Sequence, residues 1–309
     1  MPTEPAPKVA VLIPCFNEEL TVARVVADFR EALPGAEIFV FDNASTDKTT
    51  AEAERAGAHV VFSPDPGKGN VVQHMFETID AEWYIIVDGD ATYPASAAPE
   101  LLRRAIASSA DMFSGKRCTP ESELHAAYRP LHQWGNRLVC WLIRTAFGSP
   151  IEDVFSGYRV FSRKFVKTVP LHSAGFQIEV EMTLQALSKK YKVGEMDVPY
   201  GARPEGSHSK LNTYRDGLLV LTAFATICRD YRPGLFFGIS SLTLALFSFI
   251  AGIPAIIDYW CFRYVYHVPL ALLATGLGIL SALFLCVALV LETQLRYHNE
   301  LHALIRRQH

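Results

Sequence analysis

Residues 85–94 read IIVDGDATYP, an apolar run that ends in two aspartates around a glycine. A strand that buries Ile85, Ile86 and Val87 sets Asp88 and Asp90 at its carboxyl end. A solvated turn is the plain explanation, since Asp and Gly favour turns. The flanking sequence decides whether there is more. VAVLIP (9–14) is a second apolar run, closed by proline, as in a buried parallel strand. Residues 18–33 carry Leu20, Val22, Val25, Val26 and Phe29 near helical spacing and stop before Pro34-Gly35. EIFVFD (37–42) reads as a strand, 46–58 as a helix capped by Ser45 or Thr46, HVVF (59–62) as a strand, 69–79 as a helix and WYIIVD (83–88) as a fourth strand. This alternation predicts a doubly wound parallel sheet, whose ligands bind outside the carboxyl ends of the strands.

The predicted strand ends are polar together. The first ends in PCFNEE, the second in DNASTD and the fourth in DGD, with DPGKGN (65–70) between them. Three acid- or amide-bearing ends on one rim point to a site. Its chemistry suits a nucleoside diphosphate-sugar, whose departing diphosphate needs its charge offset by a divalent ion. Carboxylate oxygens suit a hard ion such as Mg2+ or Mn2+. Asp90 is the expected metal ligand. Asp88 either joins it or meets ribose and sugar hydroxyls, and Gly89 keeps the backbone slim between the two. Asp42 can accept from a base edge, and Lys68 can reach the nucleotide or its phosphates.

The chain has 309 residues, half of them apolar, and a formal net charge of −3. That balance argues against a general nucleic-acid partner. Up to Arg232 the composition is that of an α/β domain. Residues 235–257 and 268–291 then contain no charged side chain, and each is long enough to cross a bilayer core. Between them, DYWCFRYVYH (258–267) is aromatic, as an interfacial belt would be, and holds only Arg263 as a basic residue. Arg296, Arg306 and Arg307 follow the second span, and Lys210, Arg215, Arg229 and Arg232 precede the first. Positive-inside logic predicts an integral protein of the plasma (inner) membrane with the large domain and both termini cytoplasmic. Nothing in the opening MPTEPAPK is expected to drive the domain outward. Six cysteines without C-x-x-C spacing predict free thiols in the domain. The expected boundaries are 1–210 for the catalytic domain, 211–232 for an amphipathic juxtamembrane segment, 233–292 for the spans and 293–309 for a tail. NTYRDGLLVLTAFATICRDY (212–231) would lie on the membrane surface, or else pack against the domain.

PCFNEE, DNASTD, GKG and DGD, followed by FSGYRVFSR (155–163) after Glu152-Asp153 and by RPEGSHSK (203–210), resemble glycosyltransferase family 2 with the GT-A fold. With two terminal spans they resemble its polyprenyl-phosphate branch, which includes the dolichyl-phosphate mannose synthases. The resemblance implies inverting transfer of a sugar, a UDP-hexose being favoured, from its nucleotide to a polyprenyl phosphate on the cytoplasmic face. It implies that Pro14 and Glu18 lie in the first nucleotide loop, that Asp42 contacts the base and that Asp88 and Asp90 form the D-x-D pair. Asp153 matches the acid before S-G-Y-R. Arg203, Ser209 and Lys210 match the loop closing over the diphosphate, and Arg117 and Arg129 match arginines that hold the acceptor phosphate, with Arg137 as a spare. Some relatives form tetramers. Thr92 stands where the mannose synthases usually carry glutamine, and the 203–210 loop is one residue longer than the commonest form.

The acceptor would already be a phosphate, with a second pKa near 6, so it needs little deprotonation. Asp153 is therefore expected to orient the acceptor or balance charge. The harder task is to bring two anions together, which arginines on and after SGKR (114–117) and along the amphipathic 128–147 segment would do. Glu179 and Glu181 in GFQIEVEM (175–182) either shape sugar recognition or are solvated. His208 is the only histidine expected near the diphosphate. The competing readings are a processive polysaccharide synthase, which would carry Q-x-x-R-W and more spans; a nucleotidyltransferase, which would carry G-x-G-x-R after the first strand; and an inactive scaffold that kept the fold. The acids at Asp42, Asp88, Asp90 and Asp153 speak against the last.

Overall fold

In the computed structural model, residues 7–118, 130–149, 151–175, 177–201, 228–230 and 232–305 are described. They fall into two compact units, one up to residue 220 and one from 221. The expected sites Arg129, Arg203, His208, Ser209 and Lys210 lie outside the described residues, as does nearly all of 212–231.

The first unit is built on a seven-stranded sheet of order β3-β2-β1-β4-β6-β5-β7. Strands β1 (Val9–Cys15), β2 (Glu37–Asp42), β3 (His59–Phe62) and β4 (Trp83–Ile86) are parallel, with α1 (Val22–Ala32), α2 (Thr49–Arg55) and α3 (Lys68–Thr78) between them. After α4 (Ala98–Ala107) comes β5 (Met112–Cys118), parallel to β7 (Val193–Pro199). The departure from an all-parallel sheet is β6 (Arg159–Ser162), antiparallel to both β4 and β5. The cause is the connection. The chain leaves β5 at the rim and enters β6 from that same rim, with α5 (Pro130–Phe147) on the connection. Helices α6 (Arg163–Thr168) and α7 (Ile178–Ser188) lead back to β7.

Period-two alternation sends β1 side chains into two cores. Val11 and Ile13 join Val26, Phe29, Ile85, Leu101 and Tyr158 on one face. Ala10 and Leu12 join Phe41, Met75, Tyr84, Ile86, Phe161 and Phe165 on the other. Each large apolar side chain so buried contributes about 1.5–3 kcal/mol. Both faces are covered, which is why β1 and β4 read as continuous apolar runs.

Three boundaries differ from expectation. Helix α1 begins at Val22, and residues 18–21 form a turn in which the Glu18 carbonyl accepts from Thr21 and Val22; Leu20 is 65 % exposed and outside the core. Helix α2 begins at Thr49, and neither Ser45 nor Thr46 caps it. Their hydroxyls meet Asn17 instead, tying the second strand's loop to the first. The β4 ladder stops at Ile86, although the Val87 N–H still donates to the Leu12 carbonyl.

The second unit contains α8 (Pro233–Phe262) and α9 (Val268–Ile305), both long and apolar enough to be candidate membrane spans. They run past the charge-free stretches at their ends, so the true link is only residues 263–267. Large side chains on both face outward, Leu242 at 71 % and Leu272 at 70 % exposure, which a helix in the core of a water-soluble unit would not tolerate. Between the helices, Ser241 and Ser281 exchange hydrogen bonds and the Ser248 hydroxyl donates to the Ala274 carbonyl. Asp258 accepts from the Tyr266 and His267 N–H groups and so closes the link.

Candidate active site

The rim at the carboxyl ends of β1 and β2 is laced backbone to side chain. The Asn17 N–H donates to Ser45 Oγ at 2.9 Å, the Glu18 N–H to Thr49 Oγ1 at 2.8 Å and the Glu19 N–H to Asp47 Oδ2 at 3.1 Å. Pro14 pairs with Phe41 in the parallel ladder, so the PCFNEE and DNASTD loops leave the sheet side by side. Asp42 is buried and accepts from the Ser45 N–H at 3.2 Å. Asn43 organises the next turn: its amide donates to the Ser63 and Asp65 carbonyls, and its oxygen accepts from the Gly67 N–H at 2.9 Å. Gly67 has φ of 116°, a left-handed conformation that glycine tolerates. That turn launches α3 with Lys68 in its first position.

Lys68 Nζ lies 2.6 Å from Asp88 Oδ1 and 2.5 Å from Glu179 Oε1. Burial would lower the lysine's pKa, but the two carboxylates outweigh it and the pKa is raised, so the ammonium stays charged at physiological pH. Glu179 and Glu181 are therefore not solvated. Glu181 accepts from the His172 and Ser173 N–H groups at 2.9 and 2.7 Å, and the following Ala174 carbonyl accepts from Gly69 at the head of α3. The first turn of α7 thus braces the GKG turn from behind.

Asp90 is buried two residues beyond Asp88, and its Oδ1 accepts from the Thr92 N–H and, at 2.6 Å, from the Thr92 hydroxyl. Threonine at this position orients the aspartate. Thr21 fixes the backbone between the pair by donating to the Gly89 carbonyl at 2.7 Å. A Cβ at Gly157 would run into the Asp88 carboxylate, so this glycine is what lets the SGYR segment approach it. Among the described residues no three His, Cys, Asp or Glu side chains converge as a closed metal cage. Two carboxylates at one strand end still fit a hard cation, which commonly completes its shell with phosphate and water.

A second charged cluster is built by β5 and the 151–158 segment. Arg117 Nε and Nη2 donate to Asp153 Oδ2 and Oδ1 at 2.7 and 2.8 Å, a bidentate pair, and the Arg117 N–H adds a third bond at 3.2 Å. Asp153 is 4 % exposed. Burial pushes its pKa up, but the Arg117 charge and hydrogen bonds win and hold it below the usual carboxylate range. Arg117 also lies over the Tyr200 ring, 5.5 Å from its centroid. Glu195 on β7 holds the Asp153 backbone by accepting from the Glu152 and Asp153 N–H groups. Arg159 is buried under the same segment and donates to the Val154 and Ser156 carbonyls and to Thr183. Tyr93 joins the two sides: its hydroxyl accepts from the Gly157 N–H at 3.0 Å and its ring packs on Tyr200.

Asp42, Lys68, Asp88 and Asp90 thus stand on one rim, with Arg117 at the end of β5 and Asp153 in the segment that precedes β6. Arg137 is not brought into that cluster; it lies on the exposed side of α5. Sequence reasoning missed Asn43, Tyr93, Gly157 and Glu195. Asn43 sat within a quoted motif, whereas Glu195, inside an alternating strand, carried no signal.

The family model for glycosyl transferase family 2 matches residues 10–169. The chain is 31 % identical over 302 residues to glycosyltransferase AglJ of Haloferax volcanii, covering 97 % of each chain. It is 25 % identical over 223 residues to a dolichyl-phosphate hexose transferase of the same organism, covering 72 % of this chain and 95 % of that one. Among solved structures, the Mycobacterium tuberculosis glucosyl-3-phosphoglycerate synthase bound to Mn2+, UDP and phosphoglyceric acid superposes with a TM-score of 0.58 at 19 % identity, over 72 % of this chain and 78 % of that one, and shares its GT-A fold. The extent of these matches makes the chain a member of glycosyl transferase family 2, a glycosyltransferase with two candidate membrane spans.

Proposed function

We propose that the protein transfers a hexose, with inversion, from a nucleoside diphosphate-sugar to a polyprenyl phosphate at the cytoplasmic face of the plasma membrane. UDP is the favoured nucleotide. The observation that supports the reading is the presence of two charged clusters that both act on Tyr93, Lys68–Asp88–Glu179 and Arg117–Asp153. The first suits a diphosphate, the second an anionic acceptor. The dolichyl-phosphate hexose transferase relative and the two spans support a lipid acceptor.

Pro14, Glu18 and Asp42 would line the nucleotide pocket, with Asp42 accepting from the base and Lys68 reaching a phosphate oxygen. Asp88 and Asp90 would hold a divalent ion, Mg2+ or Mn2+, which offsets the charge of the departing diphosphate. An acceptor phosphate oxygen then forms a bond to the anomeric carbon as the bond to the diphosphate breaks, and the electron pair leaves with the nucleotide. Because Asp153 is held ionised by Arg117, it is a weak base. Its role is to orient Arg117 through a bidentate pair. Arg129 is the second expected phosphate ligand, and Arg203, Ser209 and Lys210 the expected cover of the diphosphate. The catalytic domain is taken as 1–210, the juxtamembrane segment as 211–232, the spans as 233–292 and the tail as 293–309.

Purified full-length protein, offered a panel of nucleotide sugars with a short polyprenyl phosphate, should yield one sugar–lipid product by mass. Sugar transfer only to water or to a carbohydrate hydroxyl would refute the proposal.

A further inference from the structure

Strand β7 ends at Pro199, and Tyr200 follows it into the core that buried Val198 joins two residues earlier. Two backbone bonds pin residue 200 between the charged clusters. The Tyr200 N–H donates to the carbonyl of Cys118, the neighbour of Arg117, and the Gly201 N–H donates to the carbonyl of Thr92, two residues past Asp90, both at 3.0 Å. The side chain repeats the link. Its ring meets that of Tyr93 edge-on, with centroids 5.1 Å apart, and the Arg117 guanidinium lies 5.5 Å from its centroid. Its hydroxyl hydrogen-bonds the Thr92 side chain. The Thr92 hydroxyl already gives its one proton to Asp90 Oδ1 at 2.6 Å, so in this bond Tyr200 donates and Thr92 accepts. The bonds run in one direction, from Tyr200 to Thr92 to Asp90, and each polarises the next. Burial raises the pKa of the Tyr200 phenol and the Asp90 charge adds to it, so the hydroxyl keeps the proton it donates.

We infer that Tyr200 is a positioning residue shared by both clusters: its hydroxyl aims Asp90 through Thr92, and its ring holds the Arg117 guanidinium that Asp153 also grips. Neither task requires Tyr200 to touch a substrate. The two tasks are separable, because phenylalanine keeps the ring and discards the hydroxyl, whereas leucine discards both. A tyrosine that only filled the core would show no such separation. The inference rests on the reading of the two clusters as donor and acceptor sides, and adds that one side chain sets the geometry of both.

The test uses full-length protein in detergent and begins without any ligand. Thermal melts of Tyr200→Phe, Thr92→Val and the double variant form a cycle. Once Thr92 is valine, the Tyr200 hydroxyl has lost its acceptor, so the double variant should melt no lower than Thr92→Val alone. Additive losses would overturn the inference. Steady-state transfer then reads the two tasks, with the nucleotide sugar and short polyprenyl phosphate of the proposed reaction. Tyr200→Phe should raise the donor KM about two- to tenfold, the worth of one hydrogen bond, and leave the acceptor KM unchanged. Tyr200→Leu should raise the acceptor KM as well, about two- to thirtyfold. Tyr200→Met, which keeps bulk without a ring face, gives the same reading should the leucine variant not fold. Equal rises of both KM values in Tyr200→Phe, or an acceptor KM untouched by loss of the ring, would also overturn it. Absence of transfer by the parent would instead refute the proposed reaction, and the melting cycle would still decide the role of Tyr200.

Discussion

The two charged clusters that the proposal assigns to a donor wall and an acceptor wall hold their charges in different counts. On the donor wall one ammonium, Lys68, sits between two carboxylates, Asp88 and Glu179, with Asp90 two residues on. On the acceptor wall one guanidinium, Arg117, meets one carboxylate, Asp153, through two matched bonds. The first wall is left net negative, a setting that suits a divalent cation arriving with its diphosphate. The second holds its two charges in one bidentate pair, and in the proposed reaction an incoming phosphate would share an arginine already aimed by its partner. Under the proposed function, the difference means that the donor wall would need a cation brought to it, while the acceptor wall would be preassembled.

The largest effect should come from breaking the donor wall. Asp90→Ala removes the carboxylate that Thr92 orients, and loss of one charge-stabilising group at such a centre costs about a hundred- to a thousandfold in kcat. Radiolabelled sugar transfer at saturating Mg2+ or Mn2+ checks this. Wild-type turnover would remove Asp90 from the chemistry.

Breaking the acceptor wall should show first as instability. Arg117→Ala leaves Asp153 buried and unpaired, which costs about 3–5 kcal/mol, whereas Arg117→Ala with Asp153→Asn removes both charges and should recover most of that. Thermal melts of the parent, the single and the double variant separate the cases. The sign with pH follows from Asp153, whose pKa is depressed in the fold below its ordinary 3.8. The pair's contribution is present above that value and is lost as pH falls below it, so the parent's melting temperature should drop there and the double variant's should drop less. In activity, the double variant should lose lipid-phosphate use while nucleotide binding survives.

Much of this architecture was readable, and the comparison of the walls shows why. The donor wall is assembled from strand ends, each announced by an apolar run that stops at an acid, so β1, β2 and β4 and the residues Asp42, Asp88 and Asp90 were visible. The acceptor wall is assembled by a chain reversal. Antiparallel β6 is a four-residue strand without a period long enough to read, and Glu195 and Tyr93 act on backbone groups rather than through a motif. Leu20 and the expected caps Ser45 and Thr46 were misread because tertiary bonds between two loops outweighed local helix preference. For Glu179 and Glu181 the choice between a role at the site and a solvated pair stayed open because nothing local shows that Lys68, more than a hundred positions away, lies against one of them.

A smaller effect sharpens the distinction. Gly157→Ala would push a methyl group against the Asp88 carboxylate, and such overpacking costs about 1–3 kcal/mol. Since Asp88 belongs to the donor wall while residue 157 belongs to the segment that carries Asp153, the effect tells which wall the glycine serves. A donor KM raised about tenfold with the acceptor KM unchanged would place it with the donor. The reverse would place it with the acceptor.

The subtlest prediction concerns pH and activity. If Asp153 were the base, the acid limb of kcat/KM would follow its ionisation, far below neutral because Arg117 holds it there. If the acceptor arrives as its own dianion, the limb falls near pH 6, the second ionisation of a phosphate monoester. A phosphonate analogue of the prenyl phosphate ionises at higher pH, so its limb should move upward by the difference between the two acceptors, with the donor kept the same. A limb that stays fixed when the acceptor is changed would mean that a protein group titrates instead, and the preassembled acceptor wall would have to be rebuilt around it.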